Sequence, residues 1–229
     1  MKKLLILLIL LTACQVQKME EIKLQTEDGV TIHSTFYNAN SNKGVILLHR
    51  LAKDRNNWKD FASLLVKNNF SVITLDFRGH GQSTEKFKLN DLTAKDFNNM
   101  VLDVKTAKDF LVSKKVTSIG IIGESIGANT ALNYAIKDKA IKTVILLSPG
   151  LDYRGIKTEN SMSEFDERPI FFVAADGDAY SAESAKKLDM LAFGEKKLLI
   201  YEGSEHGVPM FDEKEDLKEL IINWLKEKL

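Results

Sequence analysis

The feature that most constrains this chain is Val116-Thr117-Ser118-Ile119-Gly120-Ile121-Ile122, which runs straight into Gly123-Glu124-Ser125-Ile126-Gly127. The apolar, β-branched run has the character of a buried strand, and a helical pattern over residues 128–135 begins where it stops. A serine set two positions from a glycine on either side, between a strand and a helix, predicts a tight turn that lifts its hydroxyl clear of the sheet. Side chains at the glycine positions would collide with the neighbouring strand and helix. The first N–H groups of the helix then face any carbonyl oxygen presented to the serine, because they have no partners of their own.

The rest of the chain alternates in a way that suits such a turn. Residues 22–25 and 30–37 predict two strands joined by Glu27-Asp28-Gly29, and residues 44–49 and 70–77 predict strands buried on both faces. Between those two, Trp58, Phe61, Leu64 and Leu65 carry helical spacing. Thr93-Ala94-Lys95-Asp96 has the form of a capping box and opens one long helix, with Phe97, Met100, Val101, Val104, Ala107 and Leu111 on its apolar face. Three more buried strands are predicted at residues 141–147, 170–175 and 197–201, and a last helix buries Leu217, Leu220, Ile221, Trp224 and Leu225. With 229 residues and 44% hydrophobic content, one substantial core can be buried. The expectation is an α/β fold: a mainly parallel twisted sheet of about eight strands with helices on both faces, forming one domain over residues 22–229.

The turn at Ser125, the segment Asp76-Phe77-Arg78-Gly79-His80-Gly81-Gln82-Ser83 and the strand-end histidine His49 together resemble the α/β hydrolases, in their lid-poor esterase and serine-peptidase-like group. The resemblance runs from about Lys23 to the C-terminus. It implies a nucleophilic Ser125 activated by a histidine base, which a carboxylate orients, in the chain order Ser, Asp or Glu, His. Of the four histidines, His33, His49, His80 and His206, only His206 follows Ser125. It lies in Gly203-Ser204-Glu205-His206-Gly207 directly after the last predicted strand, where open α/β sheets place their sites. Asp176 and Asp178 both follow the preceding strand. The family's spacing from a proline, here Pro169, favours Asp178 as the acid and leaves Asp176 as a turn former.

The same resemblance assigns the backbone N–H groups of Leu51 and Ile126 as oxyanion donors, and gives residues 76–83, His80 included, a structural role beside the turn. Arg50 departs from the family, which usually has glycine there. Either its guanidinium stands at the mouth of the site or it is a surface charge pointing away. Residues 151–168 occupy the place where relatives insert a cap and are too few to build one. The implied activity is a serine hydrolase cleaving esters of small acyl substrates through an acyl-enzyme. The same triad would serve a peptidase, thioesterase or acyltransferase, and the fold also exists as a non-catalytic binding protein. No metal or organic cofactor is called for, because the chain has no Cys/His ligand cluster and no P-loop, and Gly120, Gly123 and Gly127 do not make a dinucleotide fingerprint.

At the N-terminus, Met1-Lys2-Lys3 precedes a short apolar run from Leu4 to Leu11, the layout of an export signal and far below the ~20 residues that span a bilayer. Leu11-Thr12-Ala13-Cys14 resembles the lipobox of bacterial lipoproteins. That resemblance implies a signal peptide over residues 1–13, a lipidated Cys14, a polar tether over residues 14–21, and a protein exported to the bacterial cell envelope and held on a membrane by lipid. Cys14 is the only cysteine, so no disulfide forms within the chain. Basic and acidic residues balance at 32 each, and removing Lys2 and Lys3 with the signal leaves no charge that would attract nucleic acid. The expected partners are a small acyl substrate and, through Cys14, a membrane.

Overall fold

The computed structural model describes residues 18–229. The signal at residues 1–13, Cys14 and the first residues of the tether lie outside the described residues. The chain opens with a hairpin of β1 (Lys18–Gln25) and β2 (Thr31–Asn38). β3 (Lys43–Leu48) leads through a 3-10 turn at Arg55–Trp58 into α1 (Lys59–Lys67) and back to β4 (Ser71–Leu75). α2 (Ala94–Asn98) and α3 (Met100–Ser113) come next, then β5 (Ser118–Glu124), α4 (Ile126–Ala135) and β6 (Ile141–Leu147). A small hairpin, β7 (Asp152–Tyr153) with β8 (Ile156–Lys157), and the short α5 (Glu159–Glu164) replace a cap. β9 (Ile170–Ala175), α6 (Ala179–Leu191), β10 (Lys196–Tyr201), α7 (Met210–Glu213) and α8 (Glu215–Lys228) complete the chain.

Among the described residues the main sheet has eight strands, the number the sequence predicts, and they lie in the order β1-β2-β4-β3-β5-β6-β9-β10. From β4 to β10 the strands are parallel, and β2 runs antiparallel to both its neighbours. Strand alternation divides the core into two layers. Ile46 and Leu48 point to the layer shared with α2, α3, α4 and α6. Val45 and Leu47 point to the layer shared with α1, α7 and α8, where Trp58, Phe61 and Phe211 stack on one another.

Four features differ from the sequence expectation. β1 begins at Lys18, inside the segment read as a tether; Met19, Glu20 and Glu21 are exposed and held by pairing to Tyr37, Phe36 and Thr35, so no apolar pattern marks them. The long helix is two, α2 and α3, divided at Asn99; Phe97 and Met100 are buried on either side, so the apolar stripe runs through the break. The capping box at Thr93 and Asp96 forms as expected. β10 is half-buried, because among the described residues it is the edge of the sheet and pairs only with β9. α6 leaves no mark in the sequence pattern because its buried face is Ser181, Ala182, Ser184, Ala185 and Leu188, mostly residues too small to give a hydrophobic period.

Residues 76–83 are structural, as the resemblance implies. Asp76 is fully buried; it accepts the Arg55 N–H at 2.7 Å and the Gln82 N–H at 2.8 Å, and pairs with the Arg55 guanidinium. Arg78 is equally buried and bridges Asp103 at 2.7 Å and Asp28 at 2.7 Å, fastening the β1–β2 turn to α3. Ser83 Oγ donates to the Asp76 carbonyl at 2.8 Å and accepts the His33 N–H at 2.9 Å, closing the segment onto β2. Removing one member of a buried pair strands the other charge. Asp76→Ala is therefore expected to lower unfolding free energy by about 3–5 kcal/mol, measured by denaturant titration; a loss under about 1 kcal/mol, the value of an exposed pair, would contradict this role.

Candidate active site

The site forms where the chain changes direction across the sheet. After β4 the chain crosses β3 to lay down β5 on its other side, so the loops that follow β3 and β5 diverge and leave a crevice at their carboxyl ends. Register brings the neighbouring strand ends level: Leu48 lies beside Gly123, Glu124 beside Leu147, and Ala175 beside Tyr201.

Ser125 stands in the turn after β5 with φ 56° and ψ −119°, a conformation that side chains rarely adopt. Its N–H is tied to the Leu147 carbonyl at 2.9 Å, which holds the turn against β6. The flanking glycines are required by contact. A Cβ on Gly123 would sit 2.2 Å from the Gly127 carbonyl oxygen, and one on Gly127 would sit 2.5 Å from that of Leu48. α4 starts at Ile126, so the Ile126 N–H belongs to the first turn and has no i−4 partner within the helix.

His206 and Asp178 meet from two neighbouring loops. His206 Nδ1 lies 2.6 Å from Asp178 Oδ2. Asp176 is occupied elsewhere, accepting the Gly203 N–H at 3.0 Å and so pinning the loop that carries the histidine. The structure thus brings Asp178, and not Asp176, to the imidazole. Ser181 Oγ lies 3.5 Å from the same Nδ1. The loop is further fixed by the Gly207 N–H, which donates to the buried Ser148 Oγ at 2.9 Å. With Nδ1 engaged by a carboxylate, Nε2 is left to exchange protons with a substrate.

Tyr153 of the small hairpin is a site residue that sequence reasoning misses. Its ring meets that of His206 edge-on at 6.3 Å and its hydroxyl lies 3.0 Å from Ser181 Oγ. Burial pushes its phenol up to about 12, aided by the Asp178 charge and opposed by hydrogen bonding to Ser181 and Ser125. The phenol is a neutral hydrogen-bond donor at neutral pH. A tyrosine in a polar loop carries no signal of this, since only the folded hairpin turns it toward Ser181 and His206.

The loop after β3 is set by His49. The Phe77 N–H donates to Nε2 at 3.0 Å, which leaves the proton on Nδ1, and Nδ1 donates to the Arg50 carbonyl at 2.7 Å. Lys53 N–H donates to the same carbonyl at 3.2 Å. In a trans peptide the N–H points opposite to the carbonyl, so fixing the Arg50 oxygen also fixes the direction of the Leu51 N–H. The Arg50 side chain does not point away from the protein. It turns inward, where Nη1 donates to the His206 carbonyl at 2.7 Å and Nε lies 4.0 Å from Glu124 Oε2. Among the described residues, no group of three or more His, Cys, Asp or Glu side chains gathers into a metal cage.

His49 is fully buried, and burial, with the nearby His80 ring, holds its imidazole down at about 3. An unfolded chain would protonate it near pH 6.5, so between those values the unfolded state binds more protons. Stability contributed by the neutral ring is complete above pH 6.5 and is lost as pH falls through that window. Lowering pH from 6.5 to 5 is expected to cost about 1–2 kcal/mol at this residue alone. His80, buried beside it, titrates in the same direction. The check is denaturant unfolding at both pH values for the parent and for His49→Gln; an equal pH dependence in the two would contradict it.

Comparison with known proteins agrees with this architecture. Residues 39–168 match the family model described as "Serine aminopeptidase, S33". A "Probable alcohol acetyltransferase" of Cyberlindnera fabianii is 32% identical over 94 residues, 41% of this chain and 23% of that protein. A serine hydrolase-like protein of Dictyostelium discoideum is 27% identical over 113 residues, 49% of this chain and 30% of that protein. The matched stretch therefore spans less than a third of either relative. Among solved structures, an esterase of Pyrococcus furiosus superposes with a TM-score of 0.79 at 20% identity, over 93% of this chain and 91% of that one. An esterase of Exiguobacterium antarcticum gives 0.75 at 17% identity, over 90% and 100%. These two likenesses speak to the fold. With its family-model match covering more than half its length and its sheet of the same type, the chain belongs to the serine aminopeptidase S33 family of α/β hydrolases.

Proposed function

We propose that the protein is a serine hydrolase that cleaves esters of small acyl groups, with Ser125 as nucleophile, His206 as base and Asp178 as its orienting acid. The observation that carries this reading is the 2.6 Å contact between His206 Nδ1 and Asp178 Oδ2, in loops that flank a serine at positive φ. Ser125 Oγ attacks the acyl carbon while His206 Nε2 takes its proton. Asp178 holds the proton on Nδ1 and stabilises the imidazolium. The oxyanion lies between the N–H groups of Ile126 and Leu51. Collapse of the tetrahedral intermediate expels the alcohol, protonated by Nε2, and leaves the acyl group on Ser125. A water, deprotonated by Nε2, then releases the acid.

A second reading, acyl transfer, is favoured by the resemblance to an alcohol acetyltransferase. An alcohol would then take the place of water on the acyl-enzyme, and product analysis with added alcohol separates the two. Ser125→Ala is expected to lower kcat by about 10⁶-fold, and Asp178→Asn by about 10⁴-fold because the wrong tautomer faces the serine. Asp176→Asn should stay within about tenfold, a loop effect near 1 kcal/mol. Steady-state kinetics on a nitrophenyl ester decides; a larger loss for Asp176 than for Asp178 would reverse the assignment.

Substrate size follows from the region after β6. Ile156, Met162 and Phe165 are buried in the core and so cannot line a lid. Tyr153, on Gly150, supplies the wall instead: a Cβ on Gly150 would lie 2.5 Å from its ring. Each methylene of an acyl chain gains about 0.8 kcal/mol only where a wall covers it. kcat/KM for nitrophenyl esters is expected to peak at short acyl chains, without interfacial activation. A steady rise with chain length would contradict a short acyl site.

We propose, in addition, that the mature protein begins at a lipidated Cys14 and is held on a membrane of the bacterial envelope. The support is Leu11-Thr12-Ala13-Cys14 after a basic and short apolar start. Mass spectrometry of the mature N-terminus tests this; an unmodified Cys14, or an N-terminus elsewhere, would refute it.

A further inference from the structure

The side chain immediately before the nucleophile belongs to a cluster that the hydrolytic mechanism does not use. Glu124 is fully buried, yet its carboxylate is surrounded by donors from three separate segments. Oε1 accepts the Arg50 N–H at 3.2 Å and the Asn57 side-chain amide. Oε2 accepts the Val208 N–H at 2.9 Å. The loop main chain is pressed onto the same oxygen: a Cβ on Gly207, whose φ is 73°, would fall 2.1 Å from Oε2. Burial pushes the Glu124 carboxyl up, while the Val208 N–H, the Arg50 cation and the Arg50 N–H work to keep it ionised. That cation is itself bifunctional, with Nε 4.0 Å from Glu124 Oε2 and Nη1 on the His206 carbonyl at 2.7 Å.

We propose that Glu124 and Arg50 form a positioning clamp that holds the His206 loop and the Leu51 turn in fixed relation to Ser125. The inference rests on the catalytic reading above and names residues that act through others. The clamp grips the base from its C-terminal side, since the His206 carbonyl and the Val208 N–H bracket Gly207 and both are bound. It grips the oxyanion turn at the Arg50 N–H, and His49 then directs the following peptide. Both elements are tied to Glu124, which is joined to Ser125 by one peptide bond. A guanidinium suits the place because separate nitrogens can address a carboxylate and a carbonyl at once, which a lysine ammonium does less well. The departure from the glycine usual in relatives is thus matched to a buried partner.

The test uses the full chain in four variants, Arg50→Ala, Arg50→Lys, Glu124→Gln and Arg50→Ala/Glu124→Gln, with Ser125→Ala alongside. For each, kcat and KM on a short-acyl nitrophenyl ester are measured with the rate of fluorophosphonate labelling and a thermal melt. A displacement near 1 Å at the reacting atoms costs about 10²-fold, so Arg50→Ala is expected to lose about that much in kcat and in labelling rate. KM should move by less than about threefold, because uniform binding is untouched. Arg50→Lys should recover part of the loss, and added guanidinium ion should restore Arg50→Ala but not Ser125→Ala. In Glu124→Gln an NH₂ faces one of the bound N–H donors, so kcat again falls. The double variant should be no worse than the worse single, as for two residues of one unit.

Arg50→Ala with kcat within about twofold of the parent, or a loss shared equally by kcat and 1/KM, would overturn the clamp. Where Arg50→Ala does not melt cooperatively, Glu124→Gln decides by the same criteria. Activity retained in Ser125→Ala would refute the catalytic reading itself. A silent Ser125→Ala beside an unimpaired Arg50→Ala would refute the clamp alone.

Discussion

The carbonyl oxygen of Leu48 and the α-carbon of Gly127 approach so closely that no side chain fits between them. This contact sets how near the first turn of α4 can come to the end of β3, and much else follows from it. It lets the helix begin directly after the strand, so the intervening residue, Ser125, has to take up a positive φ. The strain is of the order of 1–3 kcal/mol and is held from both sides: by the Ser125 N–H on Leu147, and by Gly123 lying beneath Gly127. The same approach brings the N-terminus of α4 beside the loop after β3.

Around that point the polar interior is organised as ties between segments distant in sequence. Asp76 with Arg55, Arg78 with Asp103 and the part-exposed Asp28, and Glu124 with Arg50 join different elements, and in each the carboxylate of Asp76, Asp103 or Glu124 is fully buried. Buried pairs add little net stability over well-packed apolar side chains, because desolvation offsets their attraction. They do fix register and loop position, since any other arrangement leaves a buried charge without its partner. The loops that carry His49, Arg50 and His206 have few large apolar side chains, and their positions depend chiefly on such ties.

The fold is largely legible in the sequence, because parallel strands buried on both faces are continuous apolar runs and the core helices carry a clear stripe. What escapes is governed by other terms. The start of β1 is held by backbone pairing with exposed polar side chains, α6 packs through alanines and serines, and the α2–α3 break leaves the apolar stripe intact. Among candidate site residues, Ser125 is legible from the turn that surrounds it, and His206 from chain order. Asp178 and Asp176 lie two residues apart after the same strand; the family's spacing from Pro169 favours Asp178, and the folded loops bring that carboxylate to the imidazole. Tyr153 has no local signal, and Arg50 is marked only by its departure from the family's glycine, which does not say which way the side chain turns. Each depends on a partner far away in the chain, Ser181 and His206 for the first and Glu124 and His206 for the second.

The central claim is that Ser125 carries the nucleophilic oxygen. The most direct measurement is to label the protein with a fluorophosphonate, digest it with trypsin and locate the adduct by mass spectrometry. A single adduct is expected on the peptide from Val116 to Lys137, with fragment ions placing it on Ser125 and loss of ester hydrolysis in proportion to labelling. An adduct on any other residue, or hydrolysis that survives complete labelling of Ser125, would contradict it.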